Sequence, residues 1–358
     1  MGSVKLGDVA QESRETIENA RDLPTVGLEH LTPGVLELER WENNAETTFS
    51  KGFKKDQILF GRRRAYLKKA AVASFDGVCS GDITVIEAIP NKIDKRLLPF
   101  VVQNDVFFDF AMSRSAGGLS PRVKWKDLKE YEFNLPPIEE QARIADLLWA
   151  MNDAKKAYRN LLAATNELVK ARFVEMFGNP ESNPLNFPVK RFEEICENLD
   201  YRRKPITASM RKAGRYPYYG ASGVVDYVED FIFDEDILLI SEDGANLRVR
   251  STPIAFSVSG KVWVNNHAHV VKFENKSLQK YIEVYFSLID ISSCITGSAQ
   301  PKLNQASLNN MLFSIPGHNA LERYYQFLCQ VDQTKAKISR VLTQTEEFFK
   351  TSLYRYFS

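Results

Sequence analysis

Residues 138–177 read IEEQARIADLLWAMNDAKKAYRNLLAATNELVKARFVEMF, and within them Leu147, Met151, Ala154, Tyr158, Leu161, Thr165 and Leu168 recur at steps of 4-3-4-3-4-3. Two helices that bury a common seam show this alternation. Pro136-Pro137 stands ahead of the stretch and Gly178-Asn179-Pro180 closes it, so both ends carry helix punctuation. A helix of this length extends roughly 55 Å at 1.5 Å per residue, more than one small β domain covers. Taken alone, it would read as an ordinary amphipathic core helix.

Moving 180 residues along the chain changes that reading. The seam becomes Phe327, Val331, Thr334, Ile338, Val341, Thr345 and Phe348, with the same spacing. The offset also carries Asp56-Gln57-Ile58-Leu59 onto Asp236-Ile237-Leu238-Leu239, and Pro121, Leu128, Phe133, Pro136 and Phe177 onto Pro301, Leu308, Phe313, Pro316 and Phe357. A period this long means tandem duplicated domains rather than a solenoid. Two such helices bury their seams most economically on each other. Leu147, Met151, Tyr158, Leu161 and Leu168 are therefore expected to pair with Phe327, Val331, Ile338, Val341 and Phe348. Asn319-Ala320-Leu321-Glu322 resembles a capping box at the start of the second helix.

The remainder of each copy, 1–136 and 185–316, is rich in short β-type runs such as Ala71–Phe75, Asp82–Ile86, Lys261–Val264 and His269–Phe273. Turn chemistry such as Phe75-Asp76-Gly77 and Glu242-Asp243-Gly244 separates them. The fold class expected is α+β: two mostly-β domains joined by two long helices, 137–178 and 317–358, as a pseudo-two-fold tandem repeat.

Bulk properties narrow the function. With 44% hydrophobic and 26% charged residues the chain is not a disordered one, and no apolar run is long enough to span a bilayer. The start, Met1-Gly2-Ser3-Val4-Lys5-Leu6, lacks the apolar region of a signal peptide, and Cys79, Cys196, Cys294 and Cys329 are scattered, so a reducing, cytoplasmic setting is expected. The net charge of +1 means that a polyanionic partner must be met by local basic patches. No Gly-x4-Gly-Lys-Ser/Thr loop exists, and Asn134-Leu135-Pro136-Pro137 is not the Asn/Asp-Pro-Pro-aromatic motif of an amino-methyltransferase. The acidic clusters Asp234-Glu235-Asp236 and Glu242-Asp243 read as solvated edges. His267 and His269 fall on one strand face but lack a third ligand, so a structural role is expected and no metal.

Asn134-Leu135-Pro136-Pro137-Ile138-Glu139-Glu140-Gln141-Ala142-Arg143-Ile144-Ala145 resembles the start of the conserved helix in specificity (S) subunits of type I restriction–modification systems. Met176-Phe177-Gly178-Asn179-Pro180 with Asn186-Phe187-Pro188-Val189 is similar to the junction before that family's second recognition domain. Tyr218–Gly223, Ser241–Leu247, Val264–Val270 and Thr296–Leu303 look like parts of its target-recognition domains, and Gly61–Tyr66 through Cys79–Asp82 looks like another variety of the same domain. The first copy departs at Ser115-Ala116-Gly117-Gly118-Leu119-Ser120-Pro121, where the second has Thr296-Gly297-Ser298-Ala299-Gln300-Pro301, and the helix start is eroded in copy two at Ile315-Pro316-Gly317-His318.

The resemblance implies target-recognition domains at 1–136 and 185–316, each reading half of a bipartite duplex target, joined by two long antiparallel spacer helices that return Ser358 to the first domain, set the gap and dock modification subunits. No catalytic site and no cofactor are expected in this chain. S-adenosylmethionine, ATP and magnesium belong to modification (methyltransferase) and restriction (motor/endonuclease) partners. Base and phosphate contacts call for basic or amide residues beside Gly-rich loops. The candidates are Arg62, Arg63, Arg64, Lys68, Arg122 and Lys124 in the first copy, and Arg202, Arg203, Lys204, Arg248, Arg250, Gln300 and Lys302 in the second. Any single charge run also reads as a solvated face. Two other readings stay open: a recognition module for a stand-alone restriction or methylation enzyme, and a coiled-coil scaffold for protein interactions.

Overall fold

The computed structural model describes residues 2–18, 20–43 and 46–357. They form two compact units, residues 1–160 with 339–358, and residues 161–338. These units cut across the four sequence segments because each takes part of both long helices.

One plan is built twice. In the first unit an antiparallel sheet orders Ala10–Glu12, Ile83–Ala88, Ile58–Gly61 and Ala70–Val72; in the second the order is Glu197–Asn198, Ala268–Lys272, Ile237–Ser241 and Ala255–Val258. Leu59 pairs with Val85, and the duplicate Leu239 pairs with Val270. The inner strands read as unbroken apolar runs because both faces are covered. Successive side chains then point to opposite cores. Ile58 and Phe60 join the cluster that receives the long helices, while Leu59 joins a smaller core on the other face. Leu238 and Ile240 against Ile237 and Leu239 repeat the division.

The smaller cores are closed by a second sheet, which is where the copies differ. The first unit has only Thr25–Val26, Gly77–Cys79 and Lys51–Phe53, whereas the second has the longer hairpin Ala213–Gly220 and Gly223–Val228 with Lys261–Val264 and Phe233–Asp234. All four cysteines are free thiols, and burial pushes those of Cys79 and Cys196 up to about 12.

The long helices span Ile138–Phe177 and His318–Phe357. The first is stopped by Gly178, whose φ of 76° suits glycine and whose N–H donates to the Val174 carbonyl at 2.8 Å. The second begins at His318, so Asn319 lies inside the first turn rather than at a cap; Gly317 supplies the carbonyl that accepts the Ala320 and Leu321 N–H groups. Within the first unit the helices run antiparallel: Lys155 lies over the Phe349 ring and Arg159 pairs with Glu346 at 2.6 Å. Within the second, the Tyr324 hydroxyl donates to the Val169 carbonyl at 3.0 Å and its ring meets Phe173. Phe357 is buried in the larger core of the first unit; Ser358 lies outside the described residues.

The seam is phased differently from the sequence reading. A row of buried and half-buried positions runs along the first helix through Gln141, Ile144, Leu148, Met151, Lys155, Tyr158, Leu162, Thr165, Val169 and Phe173; 180 residues on it runs through Leu321, Tyr324, Leu328, Val331, Lys335, Ile338, Leu342, Thr345, Phe349 and Leu353. Met151, Val331 and Ile338 are buried and Tyr158 is half-buried. Phe327 is half-buried beside Tyr324. Leu147, Leu161, Leu168, Val341 and Phe348 are instead 38–60% exposed. Each is the first of two adjacent apolar residues, and the second of the pair faces inward. The true phase was masked by Lys155, a charged residue whose stem is buried with its ammonium 4.1 Å from the Phe349 ring centroid; burial holds its pKa below the ordinary lysine range. Thr165 and Thr345 return their hydroxyls to the carbonyls of Leu162 and Val341, so neither brings an unpaired group into the seam.

Candidate nucleic-acid interface

The Gly-rich loops sit on a frame common to both copies. In the first unit Arg122 bridges Arg63 on one side and Ala116 on the other, and the Arg64 N–H donates to the Pro121 carbonyl at 2.8 Å. In the second, Lys302 bridges Asp243 and Thr296, and the Gly244 N–H donates to the Pro301 carbonyl at 3.0 Å. Arg64 and Gly244 both adopt left-handed backbone, with φ of 56° and 106°. At Gly297 (φ 78°) a Cβ would meet the Gln300 carbonyl oxygen at 2.4 Å, so the turn itself demands glycine. The departure at Gly117-Gly118-Leu119-Ser120 therefore leaves the backbone frame intact. Residues 116–119 and 296–300 are exposed, with Leu119 almost fully so.

Different side chains stand on that frame. In the first unit Asp82 accepts from Arg122 Nε at 2.8 Å and from Arg63 Nη1 at 3.2 Å, while Arg63 Nη2 donates to Ser120 Oγ at 3.1 Å. The Arg122 hydrogen bond, ahead of the one from Arg63, holds the Asp82 carboxyl below the usual range. Arg64 and Lys124 are exposed, and Lys68 pairs with Asp105. Arg62 is half-buried, and its Nε has no hydrogen-bond partner among the described residues.

The second unit places an ion network at the same level. His269, 1% exposed, has Nδ1 2.6 Å from Asp200 and Nε2 2.8 Å from the Leu303 carbonyl. Arg203 reaches Glu242 at 2.7 Å and Asp200 at 3.3 Å, and Lys302 reaches the other Glu242 oxygen at 3.1 Å. Desolvation would raise the Asp200 and Glu242 carboxyls, but the His269, Arg203 and Lys302 contacts outweigh it and hold both below the usual range. Asp200, Glu242 and His269 offer ligand atoms within 4.8 Å of one another, a possible divalent-cation set. Arg203 and Lys302 already neutralise the carboxylates and both ring nitrogens face protein acceptors, so the chemistry of the cluster is that of a structural ion network. Glu242 is accordingly a buried member of this network, not a solvated edge. His267 shares no face with His269: its N–H bonds the Asn265 side chain in a turn before the strand, leaving its ring half-exposed against Asp243 at 2.9 Å.

The remaining candidates divide by exposure. Arg250 turns inward and donates to the Phe286 and Ile289 carbonyls at 2.7 and 3.0 Å, where the helix Lys276–Leu288 leaves acceptors open. Arg203 is likewise spent inside its own unit. Arg202 pairs with Glu235 at 2.6 Å over the Phe233 ring. Lys204, Gln300 and Lys302 remain exposed, as does Arg248, which donates to the Gly297 carbonyl at 3.0 Å and braces the loop. Sequence reading missed Asp82 and Asp200 and took Glu242 for a solvated edge, because acids under a basic loop carry no local signature.

Two α+β units of one plan, sharing an antiparallel helix pair and each bearing a braced polar loop, define a duplicated scaffold with two presentation sites. The family model described as "Type I restriction modification DNA specificity domain" matches residues 1–160 and 184–345. The chain belongs to that family. A Haemophilus influenzae protein named for a type I restriction enzyme specificity subunit is 33% identical over 127 residues, 36% of this chain and 32% of that protein. The EcoDI specificity subunit of Escherichia coli is 30% identical over 162 residues, 41% of this chain and 35% of that protein. These matches span about a third of those two relatives. The MjaIX specificity subunit of Methanocaldococcus jannaschii is 22% identical over 312 residues, 75% of this chain and 71% of that protein. The fold is that of the type I S subunit from M. genitalium, with a TM-score of 0.60 at 13% identity over 100% of this chain and 96% of that one. A chain from a structure on complex assembly and conformational transition of the type I R-M system gives 0.55 at 15% identity, over 99% and 97%.

Proposed function

We propose that this protein is the sequence-specific DNA-binding subunit of a type I restriction–modification complex. Each unit reads one half of a bipartite duplex target, and the long helices set the spacer and dock modification subunits. The observation that carries the reading is the duplicated loop frame. One backbone arrangement is kept in both copies while the side chains standing on it differ, Arg63 and Arg122 against Asp243 and Lys302. A reader of two unlike half-sites needs a fixed scaffold with variable polar groups.

The chain contributes no chemistry of its own on this reading. Methylation with S-adenosylmethionine falls to the modification subunits, and ATP- and magnesium-dependent restriction to a motor/endonuclease subunit. Among the described residues no helix is long and apolar enough to cross a membrane, in keeping with a cytoplasmic complex. The contact set we favour keeps Arg63, Arg64, Lys68, Arg122, Lys124, Lys204, Arg248, Gln300 and Lys302; it leaves out Arg203 and Arg250, which face inward, Arg202, which is paired with Glu235, and the half-buried Arg62. Reconstituted with its modification subunits, the protein is expected to methylate one bipartite motif. Its duplex affinity should fall linearly on a log–log plot against salt. Methylation without a defined motif, or binding indifferent to salt, would overturn the proposal.

A further inference from the structure

Of the two arginines on Asp82, only one has its far end free. Arg63 is held at both terminal nitrogens, by Asp82 and by Ser120. Arg122 meets Asp82 through Nε alone, and among the described residues its two terminal amino groups make no hydrogen bond. Its side chain is 47% exposed while Asp82 beneath it is 18% exposed. The backbone on either side is fixed by the bridges to Arg63 and Ala116. The guanidinium is thus clamped by its inner edge to an ionised carboxylate and presents its outer edge as a rigid two-donor fork beside the exposed loop 116–119.

We infer that Arg122 is a base-reading residue whose fork takes the O6 and N7 acceptors of a guanine in the half-site of the first unit, with Asp82 as its positioning residue. Guanine is the base whose major-groove edge offers two adjacent acceptors to such a fork. A phosphate accepts such a fork but is served equally by a lysine's point charge, whereas the guanine edge needs two parallel donors; fixing the plane of the guanidinium restricts it to one bidentate geometry and reduces the ordering cost on binding. In the second unit the same backbone position carries Lys302, whose ammonium is drawn to Glu242 and has no fork. The inference therefore concerns one half-site only. It rests on the DNA-reading proposal above.

The test is the methylated motif of the full complex with modification subunits, determined by sequencing modified DNA for the wild type and for Arg122→Lys, Arg122→Ala and Asp82→Asn. The wild-type motif is expected to contain a G·C pair in one half-site. Arg122→Lys, which keeps the charge and loses the fork, should relax that position by about 10- to 100-fold in discrimination. Asp82→Asn should relax it less, and the other half-site should stay unchanged as an internal check on folding. An unaltered motif in both Arg122 variants, or a uniform fall in methylation at all sites with a shallower salt slope, would overturn the inference and leave the DNA-reading proposal standing. A wild-type complex with no defined motif would remove both.

Discussion

At the scale of single residues, the second unit rests on a buried ionic group that hydrophobicity alone would not have selected. Arg203 is 14% exposed and shared between Glu242 and Asp200. Replacing it by Met strands two carboxylates beneath the loop, and such a loss costs about 3 to 5 kcal/mol. The two acids also give the unit an acid limit. Their folded pKa values lie below the ordinary ones, so the stability they contribute is present above about pH 4 and is lost as pH falls through the depressed values. Unfolding midpoints of the full chain between pH 2 and 7 should drop on the acid side in the wild type and less steeply in Arg203→Met, since Glu242 loses its main partner while His269 still holds Asp200. Parallel acid limbs would refute the role given to the network. The sequence showed the basic members of this site and not the acidic ones. Asp200 and His269 are 69 residues apart, and only the strand pairing that sets Ser241 opposite Ala268 brings Glu242 beside them.

At the scale of elements, the helices were legible and their contact face only in part. Length, punctuation and a heptad-like period are local properties, and they survive into the structure. Phase is a property of the pair. Where Leu147-Leu148, Leu161-Leu162, Leu168-Val169, Val341-Leu342 and Phe348-Phe349 each offer two apolar neighbours, one residue of shift rotates the seam by about 100°. A lysine at the seam then tips a sequence reading to the wrong one. Leu148→Ala should cost about 2 to 5 kcal/mol, and Leu147→Ala less than about 0.5. Phe349→Ala and Phe348→Ala should rank the same way. Urea unfolding of the four single variants checks this, and equal losses within either pair would restore the other phase.

At the scale of the whole chain, the offset of 180 residues was the most durable signal, because a duplication is written in every element at once. Net charge was uninformative: the basic loop residues are balanced by acids such as Asp82 and Glu242 directly beneath them. The chain crosses between its two units at 160/161 in one helix and at 338/339 in the other, close to equivalent positions of the repeat. If the helices act as a ruler, seven residues inserted after Asn160 and seven after Arg340 add about 10 Å, or roughly three base pairs. The methylated motif should then keep both half-sites and gain that spacing. An unchanged gap would rule the ruler out.

That double crossing also orders events during synthesis. Residues 161–338 are one uninterrupted stretch, whereas the larger core of the preceding unit is completed by Leu353 and Phe357, with Phe349 packed against it. A nascent chain therefore emerges with the core of its earlier half still lacking Leu353 and Phe357 when its later half is already whole, the reverse of the usual N-terminal precedence. A premature stop between residues 338 and 349 would spare the later-made body and leave the first-made core without Phe349, Leu353 and Phe357, a defect that quality control meets as exposed apolar surface.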